Sequence, residues 1–374
     1  MRNKSLIEPA FKNKNIPIVF SSDNNYVYYL GVCIKSLICN TSTQYNYDIV
    51  ILESNISDKN KNKILELKNK DNVSIRFCNV KSITENYKFF TKDYFTIETY
   101  YRLFIPSIFS QYEKVLYLDC DLVILHDVAQ LYNINIKDNL LAATWNISTI
   151  VQAQTNQIIK GIPWKDYLEK ELKLDNPINY FQAGVCLFNV ALMIKENIQQ
   201  KFLIRALSYN HPLVDQDVLN NVCNNRVLFF EQQWNYHNNF SESSQNINLL
   251  NLVPELQRKS YITASKKPYI IHYAGFIKPW HNPGMEFHDI WWQYARISPF
   301  YEGILYKNLT QNSPKNTTDT TILKDILNYE RNKKKYFKYK LFSKILIGKK
   351  RKKYKEKYKE IKNKINKINY LLEK

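Results

Sequence analysis

Residues 16–37, IPIVFSSDNNYVYYLGVCIKSL, contain an apolar run, a polar turn and an amphipathic segment in that order. The run at 16–20 has the length and residue types of a buried β-strand. The next five residues supply turn and helix-capping side chains. Apolar residues then recur at three- and four-residue spacing from Val27, which predicts a helix. This order is typical of the first strand and helix of an α/β domain.

The same alternation continues along the chain. A helix capped by Ser57 or Asp58 and running to Lys70 is predicted between the second and third strands, and another helix over 96–107. Consecutive strands joined by helices pair in parallel, so the pattern predicts one α/β domain over residues 14–305. The apolar runs that predict further strands are 48–52, 73–77, 114–118, 185–190, 226–230 and 269–272.

Composition excludes several classes of protein. The 374 residues are 45% hydrophobic and include only seven Gly, which suits a globular core and not a collagen-like or Gly-rich chain. No apolar run reaches the roughly 18–20 residues of a membrane span, and the N-terminus does not read as a secretory signal. The six Cys include no Cys-x-x-Cys pair, which favours buried free thiols in a reducing cytosol.

The net charge of +19 is concentrated at the C-terminus. Residues 331–374 hold 19 Lys/Arg and three Glu, a net charge of +16, which leaves only +3 for residues 1–330. We therefore expect a polar linker over 306–330 and a basic amphipathic helical tail over 331–374. A nearly neutral body without a recognition motif argues against specific nucleic-acid binding.

Three groups of polar residues are candidates for chemistry. Asp119 and Asp121 follow the strand at 114–118 and suit a hard divalent cation, Mn²⁺ or Mg²⁺; the alternative is a solvated turn, and Asp215-Gln-Asp217 repeats the spacing. His272 ends a predicted strand and could complete a metal site; the alternative is a structural role at a strand end.

The third group follows the first strand. Asp23 and Asn25 could bond a nucleotide base edge and Tyr26 could stack on it, whereas the alternative is simple helix capping. The chain has no Gly-rich phosphate loop and no Gly-x-Ser-x-Gly elbow. Gly275 and Lys278, in the loop after His272, suit close backbone approach and phosphate neutralisation.

Taken together and in order, the segments of this chain resemble the retaining glycosyltransferases of family 8, of the bacterial lipopolysaccharide galactosyl- and glucosyltransferase type. The resemblance implies a GT-A fold, a single Rossmann-like nucleotide-sugar domain with a mixed sheet, a UDP-sugar donor and a divalent cation, usually Mn²⁺. The matching segments are residues 16–37, TYYRLFIPSI (99–108), KVLYLDCDLVILHDV (114–128), YFQAGVCLFNV (180–190), VDQDVLN (214–220) and IHYAGFIKPW (271–280).

The resemblance also implies roles for individual residues. The implied metal ligands are Asp119, Asp121 and His272. The implied donor contacts are Asp23, Asn25, Tyr26, Arg102, Asp119, Gln182, Gly275 and Lys278. Asp215 and Gln216 are implied to lie beside the anomeric carbon and the acceptor.

Two departures from the family pattern affect specificity. The family commonly has Asn where this chain has Gln182, and that position contacts donor sugar hydroxyls in relatives. Residues 146–180, where relatives hold the acceptor, match nothing.

Retention requires a carboxylate nucleophile or front-face attack. We favour front-face attack with Gln216 shielding an oxocarbenium-like centre, and Asp215 is the carboxylate that would support the alternative.

The expected function is therefore metal-dependent transfer of galactose or glucose from a UDP-hexose to a glycan or glycolipid acceptor such as the lipopolysaccharide core. The alternatives are a protein or capsular acceptor, or an inactive nucleotide-sugar-binding scaffold. The tail, in which aromatic and aliphatic residues interleave with Lys, predicts peripheral attachment to the anionic inner face of the cytoplasmic membrane. The alternatives for the tail are a short coiled coil, a solvated disordered segment or nucleic-acid binding.

Overall fold

The computed structural model describes residues 7–91, 96–240, 247–312, 329–345 and 348–372. The chain forms two compact units, the first ending at Ile304 and the second beginning at Leu305. The first unit is the predicted α/β domain built on a mixed sheet. Within the described ranges, no helix combines the length and the apolar character needed to cross a membrane.

Eleven strands are described, seven of them in one sheet with the order β10-β6-β9-β4-β1-β2-β3. All neighbours in this sheet pair in parallel except β9, which runs antiparallel to both β4 and β6. The strands are β1 Asn15–Ser21, β2 Asn46–Glu53, β3 Val73–Asn79, β4 Lys114–Leu118, β5 Leu122–Ile124, β6 Leu141–Trp145, β7 Ile158–Ile159, β8 Ile162–Pro163, β9 Phe181–Asn189, β10 Val227–Phe229 and β11 Ile270–His272.

The helices lie between the strands. The α-helices of the first unit are α1 Val27–Cys39, α2 Asp58–Leu65, α3 Lys81–Thr84, α4 Ile105–Ile108, α5 Ala129–Tyr132, α6 Ile147–Gln154, α7 Trp164–Asp166, α8 Val190–Lys195, α9 Ile198–Ser208, α10 Val214–Val222, α11 Glu255–Lys266, α12 His288–Arg296 and α13 Tyr301–Asn312, whose last residues belong to the second unit. Helices of 3-10 type cover Ile97–Phe104, Pro177–Asn179, Gln232–Asn235, Asn238–Phe240 and Ile247–Leu252, and a π-helical turn covers Tyr167–Glu171.

The central sheet is buried on both faces. Along β1, Ile16, Ile18 and Phe20 belong to one hydrophobic cluster and Val19 to the other. This alternation follows from the two-residue period of a strand, and burial on both faces is what parallel strands covered by helices require. The cysteines are free, and all except Cys39 are buried, as their apolar surroundings predict.

Two strand pairings bring distant segments to the end of β4. β9 pairs with β4 so that Val185 lies opposite Leu118, and the N–H of Asp119 donates to the carbonyl of Gly184 at 2.8 Å. β5 and β11 form a separate antiparallel pair in which His272 lies opposite Leu122. The polar residues on either side of Cys120 therefore face two other segments of the chain.

Among its described residues, the second unit contains two further helices, α14 Tyr329–Ile345 and α15 Gly348–Leu372. Tyr336 packs on Tyr358 with ring centroids 5.0 Å apart, and Tyr339 and Phe342 pack on Tyr354 at 5.6 and 5.4 Å. Contacts that join later residues of α14 to earlier residues of α15 define an antiparallel hairpin. The described part of the predicted basic tail therefore consists of two helices. Aromatic side chains of α14 pack on aromatic side chains of α15.

Parts of the predicted tail and linker lie outside the described residues. Helix α13 occupies the first residues of the segment 306–330 predicted as a linker, whereas residues 313–328 are outside the description. The apolar residues of α15 recur at three- and four-residue spacing from Tyr358, and of these the side chains of Tyr358 and Ile361 are described. The side chains of Ile345 to Ile347, Ile365, Ile368 and Leu372 are not among those described.

Candidate functional site

Asp119, Asp121 and His272 form one cluster in the first unit. One ligand atom from each residue lies within 4.8 Å of the others, and His272 Nε2 is 3.3 Å from Asp121 Oδ1 and 3.8 Å from Asp119 Oδ2. Asp119 and Asp121 follow β4, which ends at Leu118 as the sequence predicts, and both lie in the turn before β5. The turn and the β5–β11 pairing bring the three side chains together.

The cluster fits a hard divalent cation in both ligand type and space. Two carboxylates and an imidazole are a ligand set that Mn²⁺ accepts. Gly184 provides the space beside these side chains, because a Cβ there would lie 2.3 Å from the His272 ring and 2.6 Å from Asp119 Oδ2. Any larger residue at 184 would displace two of the three side chains that would hold the cation.

Lys278 connects the loop after β11 to this cluster. Its ammonium group lies 2.5 Å from Asp121 Oδ2 and donates to the carbonyl of Tyr273 at 2.7 Å. Burial disfavours the ionised form of Asp121, but the ammonium group of Lys278 acts in the opposite direction, and the pKa of that carboxyl lies well below its usual range. Gly275, in the same loop, has φ +87°, a backbone conformation that favours glycine.

Arg102 is buried beside the cluster and contacts five groups, one of which is the carbonyl of Thr99, 3.1 Å from its Nε. Its Nη2 donates to Asp119 Oδ1 at 2.9 Å and its Nη1 to the carbonyl of Ala183 at 2.7 Å. Its Nε lies 2.9 Å from Asp215 Oδ2, and its guanidinium group stacks 4.1 Å from the centroid of the Tyr117 ring. The buried Arg102 therefore couples Asp119 to Asp215.

Asp215 is a buried carboxyl with a raised pKa. Burial raises its pKa to about 6, although Arg102 and the hydrogen bond from Thr99 act in the opposite direction. The Thr99 hydroxyl donates to Oδ1 at 2.6 Å, while Oδ2 faces Arg102. Oδ1 of Asp215 thus accepts a hydrogen bond, whereas Oδ2 is paired with Arg102 by charge and accepts no hydrogen bond from the described residues.

Gln216 follows Asp215 on α10 and is held at both ends of its amide. Its Oε1 accepts from the N–H of Ala183 at 3.0 Å and its Nε2 donates to the Tyr180 hydroxyl at 3.1 Å. The Tyr180 hydroxyl donates in turn to the buried Asp217 at 2.6 Å. Asp217 also accepts from Tyr167 at 2.9 Å, so this carboxylate fixes the partner of Gln216.

Gln182 points its oxygen at other protein groups. Oε1 accepts from the N–H of Gly184 at 2.6 Å and from Asn235 Nδ2 at 2.7 Å. Asn235 Oδ1 lies 2.9 Å from His272 Nδ1. The residue that departs from the family pattern is thus linked to the predicted metal ligand His272 through Asn235.

The turn after β1 lies beside the same loop. Asp23 Oδ1 accepts from the N–H groups of Asn25 and Tyr26 at 3.0 and 2.6 Å, so this carboxylate closes the turn before α1, whose N-cap residue is Tyr26. The Tyr26 ring meets Trp280 edge-on at 6.1 Å. Burial and then the nearby Asp121 raise the pKa of Tyr26, whereas Asn25 is exposed.

The family model for glycosyl transferase family 8 matches residues 17–284 of the chain. This chain belongs to glycosyltransferase family 8.

Relatives of the family 8 chain agree with this assignment. A Haemophilus influenzae protein assigned as a glycosyltransferase is 30% identical over 274 residues, which cover 72% of this chain and 74% of the relative. A Salmonella typhimurium lipopolysaccharide 1,3-galactosyltransferase is 24% identical, with 71% of this chain and 73% of the relative covered. The apo structure of the bifunctional glycosyltransferase WbbM is 32% identical with a TM-score of 0.73; the match covers 81% of this chain and 53%, about half, of that one.

The structure of this family 8 chain brings most of the predicted site residues into one region. Asp119, Asp121 and His272 form one cluster, and Lys278 contacts it through Asp121. Hydrogen bonds and ion pairs join four further predicted residues to the cluster: Arg102, Asp215, Gln182 and Gln216. Asp23 bonds the backbone of Asn25 and Tyr26, in the turn after β1. Sequence reasoning assigned no role to Thr99, Tyr117, Tyr180, Asp217 and Asn235. All of them except Asn235 lie within segments that carry the family resemblance, but a single Thr, Tyr or Asn residue has no local pattern that indicates its partner.

Proposed function

We propose that this chain is a metal-dependent retaining hexosyltransferase that moves galactose or glucose from a UDP-sugar to a cell-surface glycan acceptor such as the lipopolysaccharide core. The observation that carries the proposal is the cluster of Asp119, Asp121 and His272 with Lys278 against it. The Salmonella relative named for lipopolysaccharide galactosyl transfer supports this choice of acceptor.

The residues of the cluster suit the departure of a nucleoside diphosphate. A divalent cation held by Asp119, Asp121 and His272, Mn²⁺ or Mg²⁺, would neutralise the charge that develops on the leaving group. Lys278, on a loop whose Gly275 adopts positive φ, carries a point charge suited to a phosphate. Asp23, Asn25 and Tyr26 are proposed to bind the uridine, and Arg102 and Gln182 to lie beside the sugar.

The contacts of the carboxylates favour front-face attack. Asp215 is held by Arg102 and Thr99, and Asp217 by Tyr180 and Tyr167. A nucleophile would have to leave these partners, which is costly for a buried charge. Gln216, fixed by Ala183 and Tyr180, is instead proposed to shield the oxocarbenium-like centre with its amide.

Release of UDP from a panel of donors tests the proposal. Purified protein is incubated with UDP-galactose, UDP-glucose and UDP-N-acetylhexosamines without acceptor, in Mn²⁺ or in EDTA. We expect slow release from UDP-galactose or UDP-glucose in Mn²⁺ and none in EDTA, because the leaving group needs its charge neutralised. Failure of every donor both to react and to bind in Mn²⁺ would contradict the proposal and favour an inactive scaffold.

We propose that the second unit attaches the enzyme to an anionic membrane surface at the inner face of the cytoplasmic membrane. Phe337 and Leu341 are spaced four residues apart on α14 and are 60% and 56% exposed, so they lie on one face. Neighbouring Lys side chains would each add about 1 kcal/mol of attraction to anionic lipid.

Deleting residues 331–374 is expected to abolish co-sedimentation with phosphatidylglycerol-containing vesicles, because the deletion removes a net charge of +16. The double variant Phe337→Ser/Leu341→Ser should weaken binding without changing its dependence on salt. Phosphatidylcholine vesicles are the control, and the full-length chain should not bind them. Equal binding of the full-length and truncated chains to anionic vesicles would refute the attachment.

A further inference from the structure

A buried chain of hydrogen bonds ends on His272. It runs from the N–H of Gly184 to Gln182, then to Asn235, then to His272 Nδ1. We infer that Asn235, held by Gln182, is a positioning residue that fixes the His272 ring in the tautomer whose Nε2 lone pair faces Asp119 and Asp121. The inference rests on the proposed function, which gives that lone pair a divalent cation to bind.

The direction of every hydrogen bond follows from one backbone group. The N–H of Gly184 can only donate, so the Gln182 atom 2.6 Å away must be its oxygen. That same oxygen lies 2.7 Å from the Asn235 amide, which must therefore present its NH₂ to Gln182. The Asn235 oxygen then faces His272 Nδ1 at 2.9 Å, so Nδ1 carries the proton and Nε2 is left as an acceptor.

The three side chains are buried and come from separate elements. Gln182, Asn235 and His272 are 9%, 0% and 2% exposed. They belong to β9, to the 3-10 helix Gln232–Asn235 and to β11. Water therefore has little access with which to replace any of these bonds, and a tautomer chosen here persists.

The surrounding backbone fixes the positions of these side chains. The N–H of His272 donates to the carbonyl of Tyr236 at 2.8 Å, and Gln232 donates to the carbonyl of Asn235 at 3.3 Å. The His237 ring meets the His272 ring at 73° with centroids 5.5 Å apart. The His272 imidazole is thus held by a hydrogen bond at Nδ1 and by packing against the His237 ring. Its other nitrogen, Nε2, faces the carboxylates of Asp119 and Asp121.

The role of Gln182 differs from the one expected from the family. The family commonly has Asn at this position, whereas the longer Gln182 reaches both Gly184 and Asn235 with a single oxygen. Gln182→Met keeps the length but removes the acceptor. It should release the Asn235 amide, so that the imidazole no longer has a single preferred tautomer.

The test uses the full chain with ¹⁵N-labelled histidine, free of metal, at a pH where imidazole is neutral. Long-range ¹H–¹⁵N spectra report which ring nitrogen carries the proton, and the His272→Gln variant identifies the His272 signals. We expect the Nδ1–H tautomer in the wild-type chain and a mixed or reversed tautomer in Asn235→Leu. Mn²⁺ affinity, measured by electron paramagnetic resonance, should fall about 10- to 100-fold in Asn235→Leu.

Two further variants make the outcome decisive. Asn221→Leu removes a comparable bond, to the carbonyl of Leu172, outside the site and should change neither readout. Asn235→Asp keeps an acceptor for Nδ1–H and should keep the tautomer even if Asn235→Leu fails to fold. A wild-type or Asn235→Asp spectrum with the proton on Nε2, or unchanged tautomer and Mn²⁺ affinity in Asn235→Leu, would overturn the inference. If the wild-type chain binds no Mn²⁺, the proposed function fails, and the spectrum alone decides the tautomer.

Discussion

The Asp121→Ala variant is expected to release UDP from its donor at least about 100-fold more slowly than the wild-type chain. Asp121 contacts both His272 and Lys278, so its removal takes away a proposed metal ligand and the partner of the proposed phosphate-binding Lys278. Loss of charge stabilisation worth about 3 kcal/mol in the transition state corresponds to this factor. The measurement is UDP release at saturating donor over a range of Mn²⁺ concentrations.

A matched variant separates this effect from a general loss of negative charge. Asp58→Asn removes an exposed carboxylate in the first turn of α2, far along the chain from the cluster, and should release UDP at the wild-type rate. Asp121→Ala with wild-type activity at every Mn²⁺ concentration would show that the cluster does not support the reaction.

Replacing Arg102 by Met is expected to lower the free energy of unfolding by about 3–5 kcal/mol at pH 8. The guanidinium group is buried between Asp119 and Asp215, and Met fills a similar space without a charge. The loss leaves Asp215 buried without its cation. The measurement is a urea or guanidinium titration in which the midpoint shifts and the slope stays constant.

The pH dependence of this loss has a defined sign. In the wild-type chain the pKa of Asp215 is raised to about 6, so the folded state binds its proton more tightly than the unfolded state. The contribution of Asp215 to stability therefore falls as pH rises from about 4 to about 6. Without Arg102 the pKa rises further, so the fall continues above pH 6. The difference between Arg102→Met and wild type should thus be larger at pH 8 than at pH 6.

Arg226→Met is the control for this prediction. Arg226 pairs with Glu196, but the two side chains are 36% and 32% exposed, and such pairs contribute about 0–1 kcal/mol. An equal loss of stability in Arg226→Met and Arg102→Met, or a loss in Arg102→Met that does not grow between pH 6 and pH 8, would contradict the account of Arg102.

Local patterns were enough to predict the strands that form the parallel part of the sheet. The run at 114–118 is β4 residue for residue, and the runs at 16–20 and 48–52 lie within β1 and β2. The helix predicted from Ser57 or Asp58 to Lys70 ends earlier, at Leu65. The segment 96–107 is helical but mostly of 3-10 type, a distinction that side-chain spacing does not carry.

The antiparallel strand β9 was harder to place. Its apolar half was predicted from residue 185, but the strand begins at Phe181. Gln182 and Gly184 precede that apolar run, and their partners are Asn235 and the space beside His272. These two residues contact segments that are distant in the sequence, so they do not follow the apolar pattern by which the rest of β9 was predicted.

The cluster of Asp119, Asp121 and His272 was predictable because the order of the motifs resembles that of the family. Residue spacing alone does not indicate that His272 lies beside the two carboxylates. Asp119 and Asp121 are close in sequence, but His272 reaches them only through the β5–β11 pairing. Asn235 and Tyr180 could not be found in the same way, since their roles depend on which atoms of His272 and Gln216 they face.

The most direct test of the central claim is an anomalous difference map from crystals grown with Mn²⁺ and UDP. The account predicts a Mn²⁺ peak bounded by carboxylate oxygens of Asp119 and Asp121 and by Nε2 of His272, with the diphosphate beside Lys278. A nucleotide bound elsewhere, or bound here with no metal peak among these three side chains, would contradict it.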